Sequence, residues 1–229
     1  MVVPLHTQED WMPLLDGLTA FVPGSDAIAI LSPHPDDETL AVGGLITAQR
    51  ERGYPVKLIA VTDGENAYPE NGGLADQRIA EQTRAAERLG IDANDLLRLH
   101  LTDSGVAAKQ CVLIKRLLPY VSRETHLLAP WPDDFHPDHE ACGRAAKEIA
   151  LQTGCQLTFY FFWTWHRGTP DLLRGLPLRR LELAKSHQDA KAEALAMHVS
   201  QLDHPSGDPI LHAIHLWPAM LPFEVYLPA

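Results

Sequence analysis

Two short segments of this chain place imidazole and carboxylate groups side by side. The first is HPDDE at residues 34–38, and the second is DDFHPDHE at residues 133–140. Either segment alone is typical of a turn from a strand into a helix, because Pro suits the first helical position and Asp accepts hydrogen bonds from free backbone N–H groups. Packing, however, does not require His-Pro-Asp twice. The repetition favours a chemical role for both segments.

Imidazole and carboxylate are groups through which proteins bind catalytic zinc, which keeps three protein ligands and one open position. His34 and Asp37 are three residues apart and face the same point if their turn opens a helix. His136 and His139 are both candidates for the third ligand. Neither segment contains cysteine, which favours a catalytic site over a closed structural one. We therefore predict a divalent metal site with an open position.

The rest of the sequence alternates short apolar runs with helical patterns, as a parallel α/β sheet does. The apolar runs predict strands at 27–31, 56–62, 95–101, 126–131, 157–163 and 223–227. Helices are predicted at 39–52, 74–89, 109–122, 138–152 and 184–198, with a polar loop at 63–73 and a Gly-, Pro- and Arg-rich loop after residue 164. Ligands of such sheets bind beyond the carboxyl ends of the strands. The two segments follow the first and fourth predicted strands, which places both at that edge.

The composition limits the class of protein. The 229 residues are 45% hydrophobic and carry a net charge of −11, which disfavours nucleic acid and anionic membrane surfaces as partners. The longest apolar run, 157–165, is about half the ~20 residues of a membrane helix. The first residues show no secretory pattern, and the three cysteines lie far apart, so we expect a cytoplasmic protein without disulfides. No linker divides residues 1–229, which predicts a single domain and leaves homo-oligomers open.

Several further motifs occur in a fixed order around the two segments. They are VTDGE at 61–65, Arg78-x-x-Glu81, Asp103-Ser104-Gly105, Lys191 and HVSQ at 198–201. Together with HPDDE and HPDH at 136–139, this set resembles the LmbE-like (PIG-L type) family of zinc-dependent N-deacetylases over most of the chain. The resemblance implies an α/β, Rossmann-like fold: a mostly parallel sheet sandwiched by helices in a single LmbE-like deacetylase domain, 1–229.

The family motif carries over onto five residues of the two segments. By this resemblance, His34, Asp37 and His139 are the ligands of one Zn²⁺ per chain, for which another divalent transition metal could substitute. Asp36 is the general base. His136 stabilises the oxyanion or protonates the leaving amine.

Three more residues receive roles from the same resemblance. Asp138 is expected to orient a histidine without itself binding the metal. Arg78 and Asp103 resemble the residues that hold sugar hydroxyls. The chain departs from the family in one place, since Asp133-Asp134-Phe135 stands where the family often has a tyrosine or a glycine-rich stretch.

The implied reaction is removal of the N-acetyl group from an N-acetylglucosamine-type conjugate, a small molecule, giving acetate and the free amino sugar. One alternative is a zinc amidase that cleaves a different amide, such as that of a thiol conjugate. A second alternative, a non-catalytic sugar- or nucleotide-binding module, is disfavoured because no G-x-G-x-x-G follows the first strand. Histidines of the last third show no second metal signature, and only His198 is a candidate pocket residue; the others are His187, His204, His212 and His215.

Overall fold

A central sheet orders the computed structural model, which describes residues 3–24, 26–68, 72–203 and 208–229. The strands are Thr19–Ala20 (β1), Ala27–Ser32 (β2), Val56–Thr62 (β3), Leu96–Leu101 (β4), Thr125–Pro130 (β5), Gln156–Tyr160 (β6), Arg179–Glu182 (β7) and Phe223–Pro228 (β8). Their order across the sheet is β1-β7-β8-β6-β5-β2-β3-β4. Strands β2 to β6 are mutually parallel, whereas β8 runs antiparallel to β6 and β7. The mostly parallel α/β sheet predicted from the sequence is confirmed.

Helices cover both faces of this sheet. They are Gln8–Leu15 (α1), Asp37–Glu51 (α2), Leu74–Arg88 (α3), Gln110–Leu117 (α4), Pro137–Thr153 (α5), Thr164–Arg167 (α6), Pro170–Leu173 (α7), Lys185–Leu195 (α8) and Val199–Leu202 (α9). Apolar side chains of α2, α3 and α8 pack against one face of the sheet, and those of α1, α4 and α5 pack against the other. Among the described residues, no helix combines the length and apolarity needed to cross a bilayer.

Strand β2 shows why the sequence forms a two-sided core. Ile28 and Ile30 point into the cluster beneath α2, while Ala29 and Leu31 point into the cluster beneath α5. A parallel strand covered on both faces reads as a continuous apolar run because neither face meets water. β2 is therefore held centrally, with Ile30 paired to Leu58 on one side and to Leu128 on the other.

A buried ion pair fixes α2 to the sheet. The Glu224 carboxylate on β8 accepts hydrogen bonds from the backbone N–H groups of Gly44 (2.8 Å) and Leu45 (2.9 Å). It also accepts from Lys191 Nζ at 2.7 Å and from the Tyr226 hydroxyl at 2.7 Å. These contacts position α2, whose first turn contains Asp37 and Glu38 of the HPDDE segment, and they give Lys191 a structural role.

The structure corrects several predicted boundaries. Strands β1 and β7 were not predicted, because a two-residue strand and Arg-Arg-Leu-Glu carry no apolar alternation. The helix predicted at 109–122 ends at Leu117 and continues as a 3₁₀ turn that contains Pro119. The strand predicted at 157–163 ends at Tyr160, and two short helices occupy part of the loop predicted after residue 164. Part of the predicted loop 63–73 and His204 lie outside the described residues.

A buried histidine makes the stability of the fold depend on pH. His126 on β5 is 2% exposed and lies with Nε2 2.9 Å from Thr158 Oγ1 of β6. Burial lowers the pKa of His126 to about 4. Because an unfolded histidine has a pKa near 6.5, the unfolded state binds more protons between these values, and stability falls as the pH falls through that window. The full effect of this one residue is on the order of 3 kcal/mol.

We therefore expect His126→Gln to weaken the pH dependence of unfolding. Urea unfolding of the wild-type protein should give a lower midpoint at about pH 4.5 than at about pH 7. These two pH values lie on either side of the pKa of free histidine, ~6.5. The variant should show a smaller difference between the two midpoints, whatever its absolute stability. An equal pH difference in both proteins would show that His126 does not contribute to the dependence.

Candidate active site

The two histidine-containing segments meet at the carboxyl ends of neighbouring strands. Residues 34–38 follow β2 and begin α2, and residues 133–140 follow β5 and begin α5. β2 and β5 are paired in parallel, so the segments leave the sheet at the same edge. Asp103 joins them from the end of β4. The elements thus bring all the predicted site residues to one end of the sheet.

Asp37 lies in contact with two imidazoles. Its Oδ2 atom is 3.2 Å from His34 Nδ1 and 3.1 Å from His139 Nε2, and it also accepts the backbone N–H of His34 at 2.9 Å. Although burial opposes the shift, the facing His139 and His34 hold the pKa of Asp37 far below its ordinary value. Asp37 in turn helps to raise the pKa of His139 to about 9, again against burial.

His139 Nε2 has the properties of a metal ligand atom. It is buried and makes no hydrogen bond with the described residues, although Asp37 Oδ2 is close. A buried polar atom without a hydrogen bond is uncommon, and a bound ion is one of the partners that would satisfy it. A buried imidazole nitrogen next to a carboxylate oxygen is a donor set that suits zinc. The residues present therefore fit a divalent metal.

A wider set of ligand atoms surrounds this contact. Within the described part of the chain, ligand atoms of His34, His136 and His139 lie within 4.8 Å of one another, and so do those of His34, Asp103 and Asp138. Both histidines considered for the third position are thus present at the site. The pair His34 and His139 can thus be completed by His136 or, through its contacts with both rings, by Asp37, whereas Asp103 and Asp138 form a separate group with His34.

Asp138 and Asp103 both face the outer nitrogen of His34. Asp138 Oδ2 lies 3.3 Å and Asp103 Oδ1 lies 3.4 Å from His34 Nε2. The Asp138 carboxylate also accepts backbone N–H groups of Ser104 (2.7 Å) and Val106 (3.1 Å). A carboxylate that contacts the free nitrogen of a metal-binding imidazole fixes the orientation of the ring. The histidine whose ring nitrogen the Asp138 carboxylate contacts is His34.

Asp36 is held in a strained backbone conformation beside Arg78. Its φ is 150°, in a region unfavourable for residues other than glycine, and the residue is 5% exposed. Arg78 Nη2 donates to Asp36 Oδ2 at 3.3 Å and to the carbonyl oxygen of Pro35 at 3.1 Å, and Nη1 donates to the carbonyl oxygen of Gly64 at 3.0 Å. Burial raises the pKa of Asp36 to about 7, although the charge of Arg78 opposes it. A buried carboxylate with one charged partner is suited to proton transfer.

His136 stands at the other side of the site. Its ring stacks on Trp163 with centroids 5.8 Å apart and planes 16° apart, and its Nδ1 accepts the backbone N–H of Asp138 at 3.3 Å. Burial, with the neighbouring His34 and His139, lowers the pKa of His136 to about 3. Because Nδ1 accepts a hydrogen bond, the neutral ring carries its proton on Nε2 and can donate from there.

A cavity of about 260 Å³ opens onto these groups. His34, Asp36, Asp37 and His136 line it, and so do the predicted sugar-binding residues Arg78 and Asp103. Other parts of the wall come from Asn66, Trp163, Arg167, Gln201 and Leu211. The Asp103 carboxylate accepts the backbone N–H of Asn66 at 3.0 Å, and His34 lowers its pKa to about 2 against the effect of burial. The candidate metal site therefore lies at the wall of a pocket large enough for a small molecule.

Comparison with known proteins identifies the family. Residues 29–150, which contain both histidine-containing segments, match the model of the PIG-L family, described as GlcNAc-PI de-N-acetylase. The chain belongs to the PIG-L family. This confirms the resemblance noted from the motifs.

Two sequence relatives and one solved structure show what this chain is similar to. A probable N-acetyl-alpha-D-glucosaminyl L-malate deacetylase 2 of Bacillus anthracis is 29% identical over 187 residues, covering 76% of this chain and 80% of the relative. A 1D-myo-inositol 2-acetamido-2-deoxy-alpha-D-glucopyranoside deacetylase of Mycobacterium sp. (strain KMS) is 31% identical over 57% of this chain but only 52% of its own length. The structure of N,N'-diacetylchitobiose deacetylase from Pyrococcus horikoshii superposes with a TM-score of 0.63 at 21% identity, covering 78% of this chain and 71% of that chain, which shows a shared fold.

Asp134 is a site residue that the sequence analysis did not assign. Its fully buried carboxylate accepts backbone N–H groups of Phe162 (3.2 Å), Trp163 (3.2 Å) and Thr164 (2.9 Å) and the Thr164 hydroxyl (2.6 Å). Asp134 Oδ2 also lies 2.8 Å from His139 Nδ1. Asp134 therefore orients His139 and at the same time fixes the turn after β6. The available signal was the position of Asp134 within the second segment, five residues before His139.

We expect Asp134→Asn to weaken metal binding while the other side chains of the cavity stay in place. The amide cannot accept all five hydrogen bonds, and loss of a carboxylate behind a metal-binding histidine costs about 10–100-fold in affinity. Competition with a chromophoric chelator measures the effect. Asp133→Asn, at an exposed neighbour, is the matched control. Equal affinities in the two variants would remove Asp134 from the metal site.

Glu38 and His198 support the site from outside the cavity wall. Glu38 is fully buried, and its Oε2 accepts hydrogen bonds from Ser32 Oγ (2.6 Å) and Gln82 Nε2 (3.0 Å). His198 is also buried, with Nε2 3.1 Å from Thr39 Oγ1 on α2. Both residues hold the first turns of α2 against its neighbours, and neither lines the cavity.

Proposed function

We propose that this protein is a metal-dependent N-deacetylase that converts an N-acetylglucosamine-type conjugate into acetate and the free amino sugar. The observation that carries the proposal is the joint placement of Asp36, Asp37, His34 and His136 on one cavity wall, with the buried His139 directly behind them, within a chain of the PIG-L family. The names of relatives, all deacetylases of N-acetylated amino-sugar compounds, support this class of substrate. We further propose that residues 1–229 form one domain, because a single sheet takes strands from residue 19 to residue 228.

We infer that one Zn²⁺ per chain binds at His34, Asp37 and His139. This ligand set is supported by the buried His139 Nε2, which makes no hydrogen bond with the described residues, and by the close approach of Asp37 Oδ2 to both imidazoles. When bound, such an ion supplies Lewis acidity toward the acyl oxygen and lowers the pKa of water at its open position. Asp138 and Asp134 would then hold His34 and His139, respectively, in their ligating orientations.

Two other residues of the cavity would move or hold protons. Asp36 accepts a proton from the attacking water while the water oxygen forms its bond to the acyl carbon. His136 donates from Nε2 to the oxyanion that develops on the acyl oxygen. As the carbon–nitrogen bond breaks, the proton taken by Asp36 is available for the leaving amine. Water and the amide thus give acetic acid and the free amine, and transfer of the acid proton to the amine yields acetate and an ammonium group.

Arg78 and Asp103 are proposed to contact the sugar. Both line the cavity, and Asp103 is an acceptor for hydroxyl groups when ionised. Arg78 has a second role, because its guanidinium holds Asp36 and the carbonyl oxygens of Pro35 and Gly64. The cytoplasmic location stays a prediction, and the three free cysteines support it.

The test is product analysis with purified, zinc-loaded protein. The enzyme would be incubated with N-acetylglucosaminyl L-malate, 1D-myo-inositol 2-acetamido-2-deoxy-alpha-D-glucopyranoside or diacetylchitobiose. Acetate would be quantified by NMR and the free amine by derivatisation. We expect equimolar acetate and amine from at least one conjugate. Release of an acid larger than acetate from a thiol conjugate, with no acetate from the sugars, would instead assign a different amidase.

A further inference from the structure

Two guanidinium groups line the cavity, and they differ in how their donors are used. In Arg78 both Nη atoms are used: Nη1 donates to the Gly64 carbonyl oxygen, and Nη2 donates to Asp36 and to the Pro35 carbonyl oxygen, which leaves Nε as its one donor without a hydrogen bond to the described residues. Arg167, which is half-buried, donates from Nη1 to the carbonyl oxygen of Phe135 at 2.6 Å. Its other donors have no partner among the residues that the structure describes. Arg167 therefore presents a positive charge with unused donors to the cavity.

The guanidinium of Arg167 is held in place before any ligand binds. Its Cζ atom lies 4.1 Å from the centroid of the Trp163 ring, and the same ring stacks on His136. Asp134 fixes the start of the short helix α6 by accepting backbone N–H groups of Trp163 and Thr164. Because the side chain is already ordered, binding through it costs less conformational entropy than binding through a free surface arginine.

Among the described residues of the cavity wall, no carboxylate forms an ion pair with Arg167. The acidic residues of the wall, Asp36, Asp37 and Asp103, are engaged by Arg78 and the histidines. Asp134 accepts all its hydrogen bonds from His139 and from the turn after β6. The cavity thus has an acidic side, where the acetamide would react, and a cationic side at Arg167. The ring of Trp163 contacts both Arg167 and His136.

We propose that Arg167 binds an anionic group, a carboxylate or a phosphate, on the part of the substrate that is attached to the amino sugar. This inference rests on the proposed deacetylase function and narrows its substrate class. A planar guanidinium with adjacent free donors matches both anions in a two-bonded geometry. A neutral conjugate would leave this charge, in an otherwise acidic protein, without a function in binding.

The experiment compares an acid with its neutral counterpart. N-acetylglucosaminyl L-malate and its dimethyl ester differ in charge but share the sugar and the linkage, and N-acetylglucosamine 1-phosphate tests the phosphate arm. For wild-type enzyme we expect a higher kcat/KM on one of the two anionic substrates than on the ester. Arg167→Gln should lower kcat/KM on that anionic substrate by about 10- to 100-fold, as expected for loss of charged hydrogen bonds, mainly through KM. The ester should be processed equally by both proteins.

Two further variants separate binding from structure. Arg167→Lys keeps the positive charge but not the adjacent donors of the guanidinium. It should recover part of the kcat/KM that Arg167→Gln loses on the anionic substrate. Arg52→Gln is the matched control, because Arg52 also stacks on an aromatic ring, that of Tyr54 at 4.7 Å, but lies outside the cavity. It changes the net charge equally and should leave kinetics on every substrate unchanged.

The outcomes that overturn the inference are distinct from those that overturn the proposed function. Equal losses of Arg167→Gln on the acid, the ester and diacetylchitobiose would assign Arg167 a structural role through Trp163. If wild-type enzyme processes the malate conjugate and its dimethyl ester at equal rates, recognition of a carboxylate is excluded. If it also does not prefer N-acetylglucosamine 1-phosphate to the ester, recognition of an anionic group is excluded. If no conjugate is deacetylated, the proposed function fails. In that case, binding of L-malate and of inorganic phosphate, measured by ligand-observed NMR, still decides whether Arg167→Gln removes an anion site.

Discussion

Asp36→Asn is expected to retain the metal and lose most of the hydrolysis. Asn has nearly the shape of Asp and can still accept the hydrogen bond from Arg78 Nη2, so the turn that carries Asp37 should be preserved. The amide cannot accept the proton of the attacking water. Loss of a positioned general base typically lowers rates by about 10²–10⁴-fold. The measurements are kcat on the best N-acetylated conjugate and metal content per chain by elemental analysis.

Asp133→Asn serves as the control for this variant. Asp133 lies beside the second histidine-containing segment but is exposed, so the same chemical change should leave kcat and metal content at wild-type values. Wild-type turnover by Asp36→Asn would show that the strained residue only shapes the turn. Loss of metal together with activity would show that Asp36 acts through the metal site, and the base would have to be sought elsewhere.

The general location of the site followed from local sequence. HPDDE comes directly after an apolar strand and HPDH after another, and the rule that parallel strands end at one edge was sufficient to place both segments together. The continuous apolar run from Ile28 to Leu31 was likewise sufficient to predict a buried strand, and the structure adds that this strand is central and covered on both faces. These features are local because a strand and its following turn are contiguous in the chain.

The contacts that tune the site are not local, and the sequence did not predict them. Asp134 meets the backbone of residues 162–164, and Arg78 meets Asp36, across separations of 28 to 30 and of 42 residues. Such pairs depend on how α3 and the turn after β6 pack onto the sheet, which no short pattern encodes. The same holds for β7, whose polar sequence forms a strand because its neighbours β1 and β8 provide backbone partners.

The choice of ligand set leads to the second large effect, a loss of metal in His139→Ala. If His34, Asp37 and His139 bind the ion, removing the buried His139 imidazole eliminates one of three protein ligands, and metal per chain should fall from near one equivalent to a small fraction. His136→Ala should then keep the metal and lose activity, because His136 would act only on the reacting acyl group. Elemental analysis after dialysis against metal-free buffer measures both variants.

The alternative set predicts the opposite outcome for His136. Ligand atoms of His34, His136 and His139 also lie within 4.8 Å of one another, so a three-histidine site would lose its metal in His136→Ala as well. Asp37→Asn would then retain the metal, whereas it should lose metal affinity if Asp37 is a ligand. His139→Asn, which keeps a polar group beside Asp134, guards against loss of folding in the alanine variant, with circular dichroism as the check. Full metal retention in both His139 variants would exclude His139 as a ligand, because each variant removes the imidazole Nε2 that lies beside Asp37 Oδ2.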